Sequence, residues 1–246
     1  MREIVAKDET LDILCNEHLR IIQKKHGYRF SIDAILLASF VRLRKHERLL
    51  DIGSGCGIIP IYIAKRGYPN DMTGVELQKD LFDAAQKNRV INRCEGHVRF
   101  VNADIASAVR DMKRNPFQVI VSNPPYTRRR SGRTCPNESR YLARYEEKLD
   151  IDALTSAAST LLSKKGRFYV IYPAHRLGEL AHAAQSKKLA LKRLRIVYPR
   201  QNEKANLILA EFLKDGGTGV TIEEPLYVHN GTEISDEVKK YYTFED

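Results

Sequence analysis

Tryptophan is absent, methionine occurs only three times, and none of the four cysteines is paired by CxxC or CxxH spacing. Cys15, Cys56, Cys94 and Cys135 lie far apart. That spacing excludes a local zinc ligand set and offers no disulfide framework; free thiols suit a reducing compartment. Long apolar runs are missing too. The longest, such as 168–173, fall far short of the roughly 20 residues that a membrane helix needs. The N-terminus opens on charged residues and lacks an apolar stretch of signal-peptide type. No repeat, low-complexity tract or Pro/Gly/Ser linker divides the chain. These absences lead to the expectation of a soluble, cytoplasmic protein with neither a metal nor a membrane partner.

What is present suits a packed enzyme-sized fold. Of 246 residues, 43% are hydrophobic and 29% charged, which excludes disorder, collagen and coiled coil for most of the length. At about 150 residues per domain, the chain fits one large domain with small extensions. Forty-one Lys and Arg against 31 Asp and Glu leave a formal charge of +10, an excess that favours a polyanionic partner.

Short apolar runs alternate with helical patterns through the middle of the chain. Strands are expected at Leu49–Ile52, Met72–Glu76, 98–104, Phe117–Ser122 and 166–172. Helices are expected at Ile58–Lys65, 80–91, Ile105–Met112 and 151–162. Such alternation implies βαβ units, hence a Rossmann-like, doubly wound α/β fold with a mostly parallel, seven-stranded sheet. Residues 189–197 and 205–213 read as strands whose connection is too short for a crossover helix, so they should form a C-terminal antiparallel pair. Beyond Asp215 the sequence turns polar, and a loosely attached tail is expected.

The turn Gly53-Ser54-Gly55-Cys56-Gly57 follows the first central strand and opens a helix. Backbone N–H groups and a positive helix end would therefore meet at the carboxyl edge of the sheet. The dinucleotide-binding spacing would need glycine at position 58, where Ile58 stands. Asp51 precedes the turn, Glu76 ends the next strand, and Asp104 ends the one after; an acid in Glu76's position can accept hydrogen bonds from ribose hydroxyls. Three acids on consecutive strand ends suit a ligand with an amino group and hydroxyls, whereas a pyrophosphate would be repelled.

In Leu50-Asp51-Ile52-Gly53-Ser54-Gly55-Cys56-Gly57, with Glu76 and Asp104, the chain resembles class I S-adenosylmethionine-dependent methyltransferases. The resemblance implies that Gly53, Gly55 and Gly57 wrap the methionine part, Glu76 binds the ribose and Asp104 contacts the adenine. Asp51, Ser54, Leu77, Ile105 and Asn123 join the implied cofactor set. It also implies the domain plan: residues 1–45 as an extension with a cofactor-adjacent helix, 46–215 as the methyltransferase domain, and 216–246 as the polar tail.

Asn123-Pro124-Pro125-Tyr126 follows the fourth strand. On its own it is a strand-ending turn, but it falls at the edge where parallel sheets bind ligands. It resembles the tetrapeptide of methyltransferases that act on planar amino or amide nitrogens. Such a nitrogen is a poor nucleophile because its lone pair is delocalised. Two acceptors, the Asn123 side-chain carbonyl and the Pro124 main-chain carbonyl, would orient it and aim that lone pair at the methyl carbon. The prolines would hold both acceptors in place, and Tyr126 would stack on the base.

Arg128, Arg129, Arg130, Arg133, Arg140 and Arg144 follow directly, against one acid, Glu138. Arginines beside the pocket mouth would grip phosphates while a base leaves its stack; the alternative is a solvated loop. A second basic stretch runs through Lys187, Lys188, Lys192, Arg193, Arg195 and Arg200. The wider sequence resembles the bacterial tRNA1(Val) adenine N6-methyltransferases at 28–38, at 169–177 and around Pro199-Arg200 and Lys204 to Leu209. That resemblance implies methyl transfer to the N6 amino group of adenine 37, next to the anticodon, with tRNA as partner and Phe30 and Asp33 near the cofactor. Two alternatives stay open. One is the glutamine N5-methyltransferase of release factors, disfavoured because that family carries a larger N-terminal helical domain than the 52 residues preceding Gly53. The other is a non-catalytic RNA-binding module of the same fold.

Overall fold

The computed structural model describes residues 5–26, 29–125 and 150–244. Five parallel strands form the centre: β3 (Leu49–Ile52), β4 (Met72–Glu76), β5 (Val98–Asn102), β6 (Phe117–Ser122) and β7 (Leu162–Pro173). Their spatial order continues into β9 (Leu207–Lys214) and β8 (Leu189–Tyr198), giving β8-β9-β7-β6-β3-β4-β5. β9 runs antiparallel to both of its neighbours, which is the expected C-terminal pair. Every residue of β3 and β4 is buried, while the edge strand β5 alternates, with Val98 and Phe100 inside and Arg99 and Asn102 exposed. This is how strands covered on both faces differ from one at a margin.

Helices cover both faces. One core is built from α1 (Ile32–Phe40), α2 (Ile58–Lys65) and α3 (Lys79–Ile91); the other from α4 (Ile105–Met112), α5 (Ile151–Leu161) and α6 (Leu177–Ser186). α1 is apolar nearly all round, with six apolar residues and Asp33 buried, as befits a helix enclosed by its neighbours rather than lying on a surface. The chain runs from β3 outward to β4 and β5, then returns to place β6 on the other side of β3. That reversal creates a topological switch point between β3 and β6, and ligands of open α/β sheets bind in the crevice beyond it.

Three departures from the sequence reading bear on the rest of the fold. Residues 9–24 form an antiparallel hairpin of β1 (Glu9–Leu14) and β2 (Leu19–Lys24), separate from the main sheet. Its turn uses Cys15, Asn16 and Glu17 at positive φ, so no glycine marks it. The strand expected at 98–104 stops at Asn102, because Asp104 caps α4 by accepting a hydrogen bond from the Ala106 N–H at 2.8 Å.

The third departure corrects the loosely attached tail. Its segments β10 (Thr221–Ile222) and β11 (Leu226–Tyr227) add in parallel to β8, and Leu226 and Val238 are fully buried. Here α7 (Asp236–Tyr241) packs against α1. The Tyr62 hydroxyl donates to the Tyr241 carbonyl at 2.7 Å. Basic residues of β8 do the rest: Arg193 bonds Glu223, Arg195 bonds Glu237, and the Lys192 ammonium reaches the carbonyls of Thr218 and Gly219. Among the described residues, no helix is long and apolar enough to cross a membrane.

Candidate active site

The carboxyl ends of β3, β4 and β6 are laced together. Gly53 and Ser54 donate their N–H groups to the Val75 carbonyl, at 2.9 and 3.1 Å. Across the switch point, the Ser122 hydroxyl donates to the Ile52 carbonyl at 2.8 Å. Asn123 therefore begins one bond away from the strand that delivers the glycine turn. Gly53, Gly55 and Gly57 all have positive φ, at 74°, 56° and 83°. Two of them need glycine for different reasons. A Cβ on Gly57 would lie 2.4 Å from the Phe100 ring, so packing forbids it. A Cβ on Gly53 would meet nothing within 4 Å among the described residues, which leaves the turn a cradle for a ligand there.

Glu76 anchors the turn. Its carboxylate accepts the Gly55 N–H at 2.8 Å and the Gln78 N–H at 2.9 Å, one on each oxygen, and it is 1% exposed. Asp51 is fully buried on the adjacent strand, and neither of its oxygens accepts a hydrogen bond among the described residues. Burial, reinforced by the nearby Glu76 charge, pushes its carboxyl well above the ordinary range. The Ser54 hydroxyl is likewise buried with no hydrogen-bond partner among the described residues. Unsatisfied buried polar atoms are costly, and three of them beneath one glycine turn fit a ligand bearing donors.

Leu77 is half-buried just past β4, Ile105 is buried at the start of α4, and Asp104 is exposed with one oxygen committed to its cap. Phe30 and Asp33 open α1, half-buried and buried respectively. Asn123 is half-buried and Pro124 buried. Pro124 and Pro125 line a cleft of about 210 Å³ with Ile151, Leu154, Tyr172 and Arg176. Tyr126 and the arginines Arg128, Arg129, Arg130, Arg133, Arg140 and Arg144 lie outside the described residues.

Four of the six residues of the second basic stretch are already bonded within the fold. Arg193, Arg195 and Lys192 are engaged with the tail, and Arg200 bonds Glu203 and the Gly231 carbonyl. Sequence reasoning also missed residues that hold the site from behind. The Asn102 amide donates to the carbonyls of Glu76 and Leu77 at 2.9 and 3.0 Å, and Asn88 donates to the Cys56 carbonyl inside the glycine turn at 2.9 Å. No local pattern announces such bonds, since donor and acceptor lie 25 to 32 residues apart.

A parallel sheet whose switch point carries a glycine cradle, acids on successive strand ends and Asn-Pro-Pro opposite defines an S-adenosylmethionine-dependent methyltransferase. Comparisons agree. A family model described as "Methyltransferase small domain" matches residues 29–139. A tRNA1(Val) (adenine(37)-N6)-methyltransferase of Tolumonas auensis is 30% identical over 194 residues, covering 78% of this chain and 79% of its own. Its namesake in Porphyromonas gingivalis is 30% identical over 209 residues, covering 82% and 80%. Among solved structures, a predicted O-methyltransferase from Agrobacterium tumefaciens superposes with a TM-score of 0.68 at 20% identity, covering 85% of this chain and 95% of its own, and shares the fold. The chain belongs to the tRNA1(Val) (adenine(37)-N6)-methyltransferase family.

Proposed function

We propose that this protein transfers a methyl group from S-adenosylmethionine to the N6 amino group of adenine 37 in tRNA1(Val). The observation that carries this reading is the pairing of β3 with β6, which sets Asn123 across the switch point from the glycine turn. Gly53 to Gly57, Asp51 and Glu76 would hold the donor, with Asp104 and Ile105 at the adjoining strand end and Phe30 and Asp33 at the start of α1. The residues fit such a molecule: the cradle at Gly53 is open, and the polar atoms beneath it are acceptors suited to a cationic, hydroxyl-bearing ligand. When bound, S-adenosylmethionine supplies a methyl carbon activated by its sulfonium charge.

The chain's own part is positioning. The Asn123 side-chain carbonyl accepts one N–H of the amine and the Pro124 main-chain carbonyl the other, turning the nitrogen lone pair out of conjugation and toward the donor. No strong base is required, because the departing proton can leave after the new C–N bond forms. Rate then comes from alignment and from acceptors fixed in advance. Tyr126 takes the stacking role, and the arginines from Arg128 to Arg144 take the phosphates.

The test is to incubate the protein with labelled donor and, separately, total tRNA, release-factor protein and DNA, then to digest and identify the product. N6-methyladenine at position 37 of tRNA1(Val) is expected. Label in glutamine, or in no acceptor, would overturn the reading.

A further inference from the structure

The amino-terminal hairpin is fastened by side chains where a neighbouring strand would normally be. On the outer edge of β2, the Ile22 N–H donates to Asn88 Oδ1 at 2.6 Å, and Asn88 Nδ2 donates back to the Ile22 carbonyl at 2.9 Å. One helical turn on, Asn92 treats Arg20 the same way, at 3.0 and 2.6 Å. Two asparagines four residues apart, Asn88 on α3 and Asn92 at its C-cap, thus imitate the edge of a strand, because i and i+4 share a helix face. Lys87, next to Asn88, adds an ion pair to buried Glu9 on β1 at 2.8 Å.

Asn88 differs from Asn92 in one respect. Its second N–H reaches the Cys56 carbonyl, between Gly55 and Gly57, whereas that of Asn92 goes to the Asn88 carbonyl within α3. Asn88 is fully buried, and both of its donors and its carbonyl are used. Among the hairpin's further contacts, Gln23, 3% exposed, accepts the N–H of Phe30, just ahead of α1, at 3.1 Å. One small element therefore touches, through two amides, both the glycine turn and the segment entering α1.

We infer that Asn88 is a positioning residue for the methyl donor, fixing the Cys56 peptide of the glycine turn against the amino-terminal hairpin. This rests on the glycine turn being the donor site. Asn92 is the internal control, since it clamps the same strand by the same kind of bonds without touching the turn. A merely structural role for Asn88 would give the two substitutions the same consequences.

The experiment compares wild type, Asn88→Ala and Asn92→Ala by calorimetric binding of S-adenosylmethionine and by steady-state kinetics on tRNA. Asn88→Ala should raise the donor Kd and KM about tenfold over Asn92→Ala, the loss of about one buried hydrogen bond. At saturating donor, kcat should stay within about twofold, because Asn88 lies behind the turn and reaches no reacting atom. Equal donor affinity in the two variants overturns the inference. Failure of the wild type to bind donor instead removes the site reading beneath it. A measurement on the wild type keeps the test open if Asn88→Ala does not fold. Hydrogen exchange with and without donor should show the Ile22 amide gaining protection together with the Gly55 and Gly57 amides. Protection confined to the turn contradicts the coupling.

Discussion

Two buried charged centres, one on β8 toward a margin of the sheet and one between β3 and β4 in its interior, are built on opposite principles. At the β8–β9 end, Arg193 is 7% exposed and its donors are taken: Nε by Glu211 at 2.7 Å, Nη1 by Glu223 at 2.9 Å and Nη2 by the Phe40 carbonyl at 2.7 Å. Its guanidinium also lies 3.7 Å from the Phe40 ring centroid. Between β3 and β4, two carboxyl groups share one crevice, one held by backbone N–H groups and the other, Asp51, by nothing among the described residues. The first centre satisfies itself and fastens the tail to the sheet. The second is left incomplete by the fold, which is what a site for a cationic ligand requires. Strain of this kind gathers at functional sites and is offset by packing elsewhere.

The comparison can be broken most forcefully at Arg193. Arg193→Met would leave Glu211 in a mostly buried place without its cation and Glu223 with Arg42 at 3.3 Å in place of two cations. The expected loss is about 3 kcal/mol of unfolding free energy, with faster hydrogen exchange in Thr221–Ile222 and Leu226–Tyr227. Donor affinity should not move. Denaturant titration together with calorimetry checks both halves, and a tail that stays protected would show that Arg193 does not hold it.

A smaller effect, of opposite sign, is expected at Asp51. In the unfolded chain this carboxyl ionises near 3.8, whereas burial in the fold raises its pKa. Above that ordinary value the unfolded state sheds a proton that the folded state retains. Wild-type stability therefore falls as pH rises, until the folded-state pKa is passed. Asp51→Asn removes this drag, so its stability relative to wild type should grow by about 1.4 kcal/mol or less per pH unit through that window. A variant with an unchanged pH slope would mean that Asp51 is ionised in the fold.

Much of this could be read in the sequence, for identifiable reasons. β3, β4 and β6 are enclosed strands, and such strands appear as short continuous apolar runs bounded by turn residues. Their ends fell where expected, and with them Asp51, Glu76 and Asn123. The hairpin escaped because its turn bends at Cys15, Asn16 and Glu17 rather than at glycine, and its strands mix Thr10, Asp12 and Arg20 among the apolar residues. The segment Leu177–Ser186 was not singled out as a helix either. The tail escaped for a different reason. A run of Lys and Arg is usually a solvated face, yet here Lys192, Arg193 and Arg195 find partners in the tail 26 to 42 residues further on. Side-chain bonds to distant backbone, such as those of Asn88, Asn102 and Ser122, carry no periodic trace.

We propose that Asn123 acts chiefly on the acceptor nitrogen, with only a minor share in holding the donor. Single-turnover methylation of tRNA by Asn123→Ala, measured beside its donor Kd, tests this most directly. A fall of about 100-fold to 1,000-fold in the chemical step is expected, in line with the loss of one preorganised polar contact, with donor affinity within about twofold of wild type. Wild-type turnover by the variant, or a collapse of donor binding with the chemistry intact, would contradict it.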